Sequence, residues 1–242
     1  MILRTPRLLL RPATLADLEH WHAMNQAPGV TRYLSSTPPT REQTGAGLRR
    51  VVAAAALHHD YGFLSAFAGE DFVGWFHLRP GSVSADGDVF NPELGYRLRP
   101  EHWGRGLATE GARALVDHAF AQLGASSVYA ETMAVNAASR AVMERLGMRL
   151  EAGFAVSFDE PVPGHEDGEV RYRMALPDWL AQHVDARAAL HELQRSAMQA
   201  RDRARLDELR QLGMELARLE ADGVRAADSL VRELAARHGL SV

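Results

Sequence analysis

Apolar positions along residues 1–184 follow two spacings, every second residue or every third to fourth, which predict strands and helices respectively. Strands are predicted at 8–11, 62–68, 72–78, 93–98, 128–133, 154–158 and 170–176, and helices from 15, over 41–59, over 107–123 and from 136 to 147. A run of strands, then strand–helix–strand–helix, then a hairpin is typical of a mixed α/β sheet with helices beside it.

Local signals mark where several of these elements begin and end. Thr14, with Asp17 three residues later, is a capping arrangement that opens the first helix. The segment 69–71, Gly-Glu-Asp, predicts a hairpin with a three-residue loop. Gly147 suits the left-handed position after a helix, so the helix that Asn136 opens is expected to end there.

The composition changes after Trp179, which predicts two domains, 1–184 and 185–242. The second stretch has no proline and no aromatic residue, is rich in Ala, Leu, Arg and Glu, and balances its arginines with acids. Leu209, Leu212, Leu216 and Leu219 recur at helical spacing, out of phase with an earlier set of apolar residues. We predict a helical extension, with a coiled coil in part, that makes the protein a homo-oligomer, a dimer in the simplest case.

Charge and missing residue types exclude several classes of function. The net charge of −4 argues against general affinity for nucleic acid or an anionic membrane. There is no cysteine and no lysine, which excludes disulfides, a cysteine nucleophile, Schiff-base chemistry and a P-loop lysine. Arginines interrupt every apolar run at the start of the chain, so no signal peptide is expected there. The histidine pairs at 20/22 and 58/59 are poorly placed as metal ligands. A cytoplasmic protein with no metal site is expected.

The strand 93–98 leads into a glycine-containing loop that opens a helix. The loop is formed by Trp103, Gly104, Arg105, Gly106, Leu107, Ala108 and Thr109. The first N–H groups of a helix have no partner within it, and the helix dipole places positive potential there. Glycines let this backbone approach a phosphate, so the loop suits a pyrophosphate bound by main-chain amides. A strand-to-helix connection without any ligand is the alternative on these residues alone.

A second motif follows, Asn136-Ala-Ala-Ser139 through Leu-Gly-Met148, and with it the sequence resembles the GNAT superfamily of acetyl-CoA-dependent N-acetyltransferases. The resemblance is strongest to the Rim-type branch, and it covers about Arg7 to Trp179. It also includes the opening Arg-Leu-Leu-Leu-Arg-Pro, the Glu-Leu-Gly-Tyr strand and the Trp-Gly-Arg-Gly-Leu-Ala-Thr-Glu loop. The implied fold is a mixed, mostly antiparallel twisted sheet flanked by helices, and the implied co-substrate is acetyl-CoA.

The resemblance also implies where the cofactor lies. Its pantetheine arm would follow the strand at Tyr96, Leu98 and Arg99, and its pyrophosphate would lie on the main chain of 103–109. Trp103 stands where the superfamily has Gln or Arg, so a side-chain contact from that position is not carried over. Asn136 matches an asparagine that contacts the cofactor arm, and Ser139 matches a serine near the cofactor sulfur. Helix capping explains the same two residues without any ligand.

The implied reaction is direct attack of a primary amine, from a protein N-terminus or a small molecule, on the thioester in a ternary complex. Glu93 is the candidate base, with a solvated strand-end acid as the alternative. Ser139 is the candidate donor to the leaving thiolate. Acids clustered over 159–169 raise the hypothesis of an acidic rim that favours cationic amines. The rival function is a non-catalytic acyl-CoA-binding module that regulates a partner through residues 185–242.

Overall fold

The computed structural model of the 242-residue chain describes residues 1–56, 60–81, 91–156 and 162–182, together with Met198, Arg203 and Asp207. Its strands form one eight-stranded sheet in the order β1-β2-β3-β4-β5-β6-β8-β7. The strands are β1 (Leu3–Arg4), β2 (Leu9–Pro12), β3 (Gly62–Ala68), β4 (Asp71–Arg79), β5 (Glu93–Leu98), β6 (Ser127–Met133), β7 (Arg149–Phe154) and β8 (Glu169–Ala175). The α-helices are α1 (Leu18–Gln26), α2 (Arg41–Ala55), α3 (Leu107–Ala121), α4 (Ala137–Leu146) and α5 (Leu176–Gln182).

The sheet is mixed and mostly antiparallel, as the sequence predicts. β1 to β5 pair antiparallel in succession, β5 and β6 pair parallel, and β7 and β8 pair antiparallel. The predicted bounds of β5 are confirmed, and so is the left-handed end of α4, where Gly147 has φ 88°. Helix α2 ends at Ala55, and residues 57–59 of its predicted span lie outside the described residues.

Three local predictions are wrong, each for a physical reason. The strand predicted at 154–158 is β7, which begins at Arg149; as an edge strand it keeps residues 149–153 exposed, so no apolar run marks it. The hairpin loop has two residues rather than three, because Asp71 already pairs with Ala68. Sequence analysis also misses β1 and the helix α5, both of which are too short to show a period.

By contacts, the chain divides into two units. The first comprises Met1–Val116 and Val128–Arg173, and the second comprises Asp117–Ser127 and Met174–Val242. Within the second unit, Trp179 stacks on Phe120 at 5.3 Å and donates a hydrogen bond to Asp117 Oδ1 at 2.8 Å. Of the extension 185–242 only three isolated residues are described, so its helices and self-association stay predictions. No helix among the described residues is long and apolar enough to cross a membrane.

Two packed layers hold the central strands of the first unit. On one side, the ring of Trp75 on β4 contacts those of Trp21 on α1 and Phe63 on β3, with centroids 5.7 and 5.1 Å apart. On the other side, Gly111 brings α3 close to the sheet: a Cβ at this position would lie 2.4 Å from the ring of Phe76. These layers fix β4 and β5, and with them the residues described next.

Candidate active site

The start of α3 leaves a row of main-chain donors open. The N–H groups of Trp103 and Glu110 each donate to a backbone carbonyl at 3.0 Å. Among the described residues, no protein acceptor reaches the N–H groups in between, those of residues 104–109. Gly104 and Gly106 have φ angles of 69° and 76°, a left-handed conformation that costs glycine little. The result is a turn that presents consecutive N–H groups together with a helix dipole, which is a binding site for an anion.

Hydrogen bonds from two side chains hold the same turn in its shape. Arg7 Nη1 donates to the carbonyl of Arg105 at 2.8 Å, and Arg7 Nε donates to Glu110 Oε2 at 2.6 Å. The indole N–H of Trp103 donates to the carbonyl of Leu98 at 2.8 Å. These contacts use carbonyls and side chains, so they hold the turn in shape without occupying its amides.

The side chains of the predicted cofactor strand and loop point in different directions. Leu98 and Leu107 are buried, so each can offer a cofactor only its main chain. Arg99 forms ion pairs with Glu101 and, at 3.6 Å, with Asp71. The guanidinium of Arg105 lies 3.1 Å from the Nδ1 atom of His102, a side chain in the interior. Ala108 and Thr109 lie in the first turn of α3.

A gap opens between β5 and β6. The two parallel strands share one register pair, Glu93 with Tyr129, and the Tyr129 N–H donates to the carbonyl of Pro92 at 3.1 Å. No further pair joins the described residues of β5 and β6 beyond this point. Main-chain groups of β5 therefore face an open slot that leads toward the start of α4.

Tyr96 and Ser139 meet at that slot. The Tyr96 hydroxyl lies 3.1 Å from both the carbonyl oxygen and Oγ of Ser139. Burial raises the pKa of Tyr96 to about 12, against a smaller lowering effect of the bond to Ser139, so the phenol stays protonated. Asn136 caps α4: its Oδ1 accepts from the Ser139 N–H at 3.2 Å, and its Nδ2 donates to Thr132 Oγ1 at 3.0 Å. Capping thus accounts for Asn136 without a ligand.

Glu93 lies in a polar cluster at the other end of β5. Arg79 binds its carboxylate in a bidentate manner: Nε donates to Oε2 at 2.9 Å, and Nη2 donates to Oε1 at 2.8 Å. His77 Nε2 lies 3.6 Å from Oε1, and the Tyr129 hydroxyl lies 3.5 Å from Oε2. Burial alone would raise the pKa of Glu93, but His77 and Arg79 outweigh it, and the pKa lies below its ordinary value. The carboxyl is therefore ionised at neutral pH.

His77 is the residue that sequence reasoning did not single out. It lies on the strand predicted at 72–78, and no sequence pattern links it to Glu93. Its ring is buried, and neither nitrogen has a hydrogen-bond partner among the residues that the structure describes. Burial lowers its pKa, so the imidazole is neutral at pH 7. It fits there because Gly95 faces it: a Cβ on Gly95 would come within 2.3 Å of the ring. Gly95, in the Glu-Leu-Gly-Tyr strand, was the sequence feature that could have indicated a bulky side chain beside β5.

The structure gathers the predicted residues into two groups rather than one. Side chains alternate along a strand, so Glu93 and Arg97 point to one side of β5, and Tyr96 points to the other. Glu93 contacts His77 and Arg79, whereas Tyr96 contacts Ser139. No contact joins these two groups in the described part of the chain. Both groups flank the gap beside β5.

The remaining candidates for chemistry are dispersed. His20 stacks on Phe72 at 4.9 Å, and His58 and His59 lie outside the described residues. Among the residues that the structure describes, no group of three or more His, Asp or Glu side chains is arranged to hold a metal ion. Of the acidic segment 159–169, residues 159–161 are not described; Glu169 is, and burial together with Glu131 and Glu93 raises its pKa.

Comparison with known proteins assigns the family. The family model described as "Acetyltransferase (GNAT) domain" matches residues 7–149, and the chain belongs to this family. It is 35% identical to FsC-acetyl coenzyme A-N(2)-transacetylase of Aspergillus fumigatus over 182 residues, which cover 74% of this chain and 77% of that protein. The chain is an acetyl-CoA-dependent N-acetyltransferase.

Solved structures agree on the fold. An acetyltransferase from Agrobacterium tumefaciens is 27% identical, with a TM-score of 0.56 over 72% of this chain and 94% of that one. The ribosomal L7/L12 alpha-N-protein acetyltransferase RimL, solved in complex with coenzyme A, has a TM-score of 0.60 over 72% of this chain and 98% of that one. At 18% identity, RimL shows the shared fold alone.

Proposed function

We propose that the chain transfers the acetyl group of acetyl-CoA to a primary amine by direct attack within a ternary complex. One observation carries the proposal. The open N–H groups of 104–109 lie at the start of α3, shortly after β5, and β5 borders the gap to β6. The amides would bind the diphosphate, and the main chain of Tyr96, Leu98 and Arg99 would pair with the pantetheine arm. The arm would then end near Ser139.

The chemistry needs a proton acceptor and a partner for the leaving group. The amine nitrogen attacks the thioester carbonyl, a C–N bond forms, the C–S bond breaks, and the nitrogen loses a proton. Glu93 takes that proton, directly or through water, as an ionised carboxylate. Ser139 donates a hydrogen bond to the thiolate, with Tyr96 as its neighbour, and solvent protonates the sulfur of free CoA. Asn136 holds the start of α4 so that Ser139 faces the slot.

The names of two relatives support a class of acceptor. The Aspergillus relative carries N(2) in its name, and RimL is named for acetylation of a protein α-amine. An α-amino group has a reference pKa near 7.7–8.0, so a useful fraction is unprotonated at neutral pH. We therefore propose an amine of this type, at a protein N-terminus or on a small molecule, and place the chain in the Rim-type branch.

The test is the variant Glu93→Gln. It removes the proton acceptor while keeping the shape, so kcat should fall roughly 10²–10⁴-fold while acetyl-CoA affinity is unchanged. Release of free CoA with an amine panel gives kcat, and calorimetry gives the affinity. Glu151→Gln is the matched control, because Glu151 is a strand carboxylate paired with an arginine on the edge strand β7. Equal loss in both variants, or full activity in Glu93→Gln, would contradict the role of Glu93. Tight acetyl-CoA binding by the wild type without turnover on any amine would favour the non-catalytic module.

A further inference from the structure

Arg97 is a partly buried cation on the Glu93 side of β5, and no carboxylate of the described residues pairs with it. Its Nη1 donates to Asn25 Oδ1 at 2.8 Å, and its guanidinium carbon lies 5.0 Å from the centre of the Trp75 ring. The Nε and Nη2 groups have no acceptor among the described residues. Burial lowers the pKa of Arg97 to about 10, which leaves it charged at neutral pH.

Other arginines of the same sheet are paired. Arg79, Arg171 and Arg173 lie 2.7, 2.5 and 2.6 Å from the carboxylates of Glu93, Glu131 and Glu151 respectively. The carboxylates of Glu93, Glu131 and Glu151 are thus already paired, and no ion pair joins a described carboxylate to Arg97. A cation removed from water normally takes a counter-charge, since its desolvation is costly. The described part of the chain supplies no counter-charge to Arg97, so a bound molecule can supply it.

The position of Arg97 assigns that counter-charge to the acceptor rather than to the cofactor. Arg97 and Glu93 share one side of β5, four residues apart, which is about 13 Å along a strand. Tyr96 and Ser139 lie on the opposite side, where the cofactor arm is proposed to end. A diphosphate bound at 104–109 satisfies those amides and leaves the Arg97 donors free.

We infer that Arg97 binds a carboxylate of the acceptor, so that the preferred substrates are amines that also carry an acid group. The inference rests on the acetyl transfer proposed above. Asn25 and Trp75 hold the guanidinium on one edge and one face, and the Nε–Nη2 edge remains as a fork that matches two carboxylate oxygens. The acceptor then lies along β5, with its amine toward Glu93 and its carboxylate on Arg97.

This assignment competes with the acidic-rim hypothesis. A rim of Glu166, Asp167 and Glu169 would favour polyamines, whose second ammonium group would lie badly against Arg97. Burial raises the pKa of Glu169, and the nearby carboxylates Glu131 and Glu93 raise it further. The two hypotheses predict opposite orders of kcat/KM. The acidic rim would favour a diamine, whereas Arg97 would favour an amino acid of equal length.

The experiment compares acceptors matched in their amine. A panel of α- and ω-amino acids is measured against the corresponding amino-acid amides and against diamines of the same length. We expect kcat/KM of the wild type to be at least tenfold higher for the carboxylates than for the amides, with the diamines lowest. Arg97→Gln should remove this preference, and Arg97→Lys should keep part of it, because lysine retains the charge without the fork. Arg173→Gln, which removes an arginine of the edge hairpin, should keep the wild-type ratio.

Binding of the same amino acids to the CoA complex, followed by calorimetry, provides a readout that needs no turnover. It should weaken at least tenfold in Arg97→Gln while acetyl-CoA binding persists, which also shows that the variant folds. The inference is overturned if the wild type acetylates amides or diamines as well as carboxylates, or if Arg97→Gln keeps the ratio. Absence of acetylation across all three classes would instead count against the proposed function, and carboxylate binding would still decide the role of Arg97.

Discussion

Two helices of this protein begin in opposite ways. At the start of α2, the Thr40 hydroxyl accepts from the Gln43 N–H at 3.2 Å, and the Gln43 side chain accepts from the Thr40 N–H at 2.7 Å. At the start of α3, the N–H groups of 104–109 meet no acceptor among the described residues. Both starts have the same donors and the same dipole.

The difference separates a helix start that stabilises the fold from one that can bind a ligand. Closing a helix start with a side chain contributes about 1 kcal/mol to folding, and α2 has that contribution. The start of α3 forgoes it, and contacts of Arg7 and Trp103 behind the turn support the shape instead. Donors left open by a supported backbone can be used by a bound anion, so the uncapped start is the one to expect at a cofactor site.

The largest expected effect comes from a third start, where the helical turn before α1 is closed by a buried carboxylate. Asp17 accepts from the Thr14 N–H at 2.8 Å and from Ser65 Oγ at 2.9 Å, and it is paired with Arg11 at 2.6 Å. Asp17→Asn breaks an ion pair whose carboxylate is buried and whose guanidinium is partly exposed, so the free energy of unfolding should fall by about 2 kcal/mol. Urea unfolding at pH 7 measures this loss, and acetyl-CoA affinity should not change.

The same change has a pH signature. Burial would raise the pKa of Asp17, but Arg11, Thr14 and Ser65 outweigh it and lower the pKa. The ion pair therefore stabilises the protein fully above the unfolded value of about 3.9, and this stability is lost as the pH falls through the lower folded value. Wild type and Asp17→Asn should converge in stability only at that acid end. A constant difference down to pH 2 would show that packing, rather than charge, is lost.

The next effect concerns the open start itself. Gly106→Glu places a carboxylate and its bulk in the loop of open N–H groups and strains its left-handed backbone, and acetyl-CoA affinity should fall at least tenfold, about 1.4 kcal/mol. Gly69→Glu is the matched control, because Gly69 also has a positive φ, 64°, but lies in the β3–β4 hairpin. Calorimetry on both variants separates backbone strain from phosphate repulsion. Unchanged affinity in Gly106→Glu would remove the loop from the cofactor site.

The smallest effect is expected at the capped start. Thr40→Ala leaves the Gln43 N–H at the exposed end of α2 without its hydroxyl acceptor, and the free energy of unfolding should fall by about 1 kcal/mol. Thr40→Ser keeps the hydroxyl and should restore most of that loss. Neither variant should alter acetyl-CoA binding; a weaker affinity in Thr40→Ala would mean that the two helix starts are coupled.

Sequence patterns predicted the elements that carry the site better than the edges of the sheet. The bounds of β5, the start of α3 and the cap of α4 by Asn136 all follow from local signals, because capping and glycine conformation act within a few residues. β7 was misplaced because an exposed edge strand has no hydrophobic period. The residues 103–109, 136 and 139 remain a proposed cofactor site, supported by the open amides.

The sequence by itself thus determined the resemblance to the family and the start of α3, and that resemblance implied the candidates Glu93 and Ser139. The tertiary structure decided what surrounds them: strand register brought Arg79 and His77 to Glu93, and it placed Arg97 against Trp75 and Asn25, with no carboxylate of the described residues beside it. The physical reason is that caps and turns depend on neighbours in the chain, whereas ion pairs across a sheet depend on which strands meet and in what register. No periodicity along a single strand contains that information.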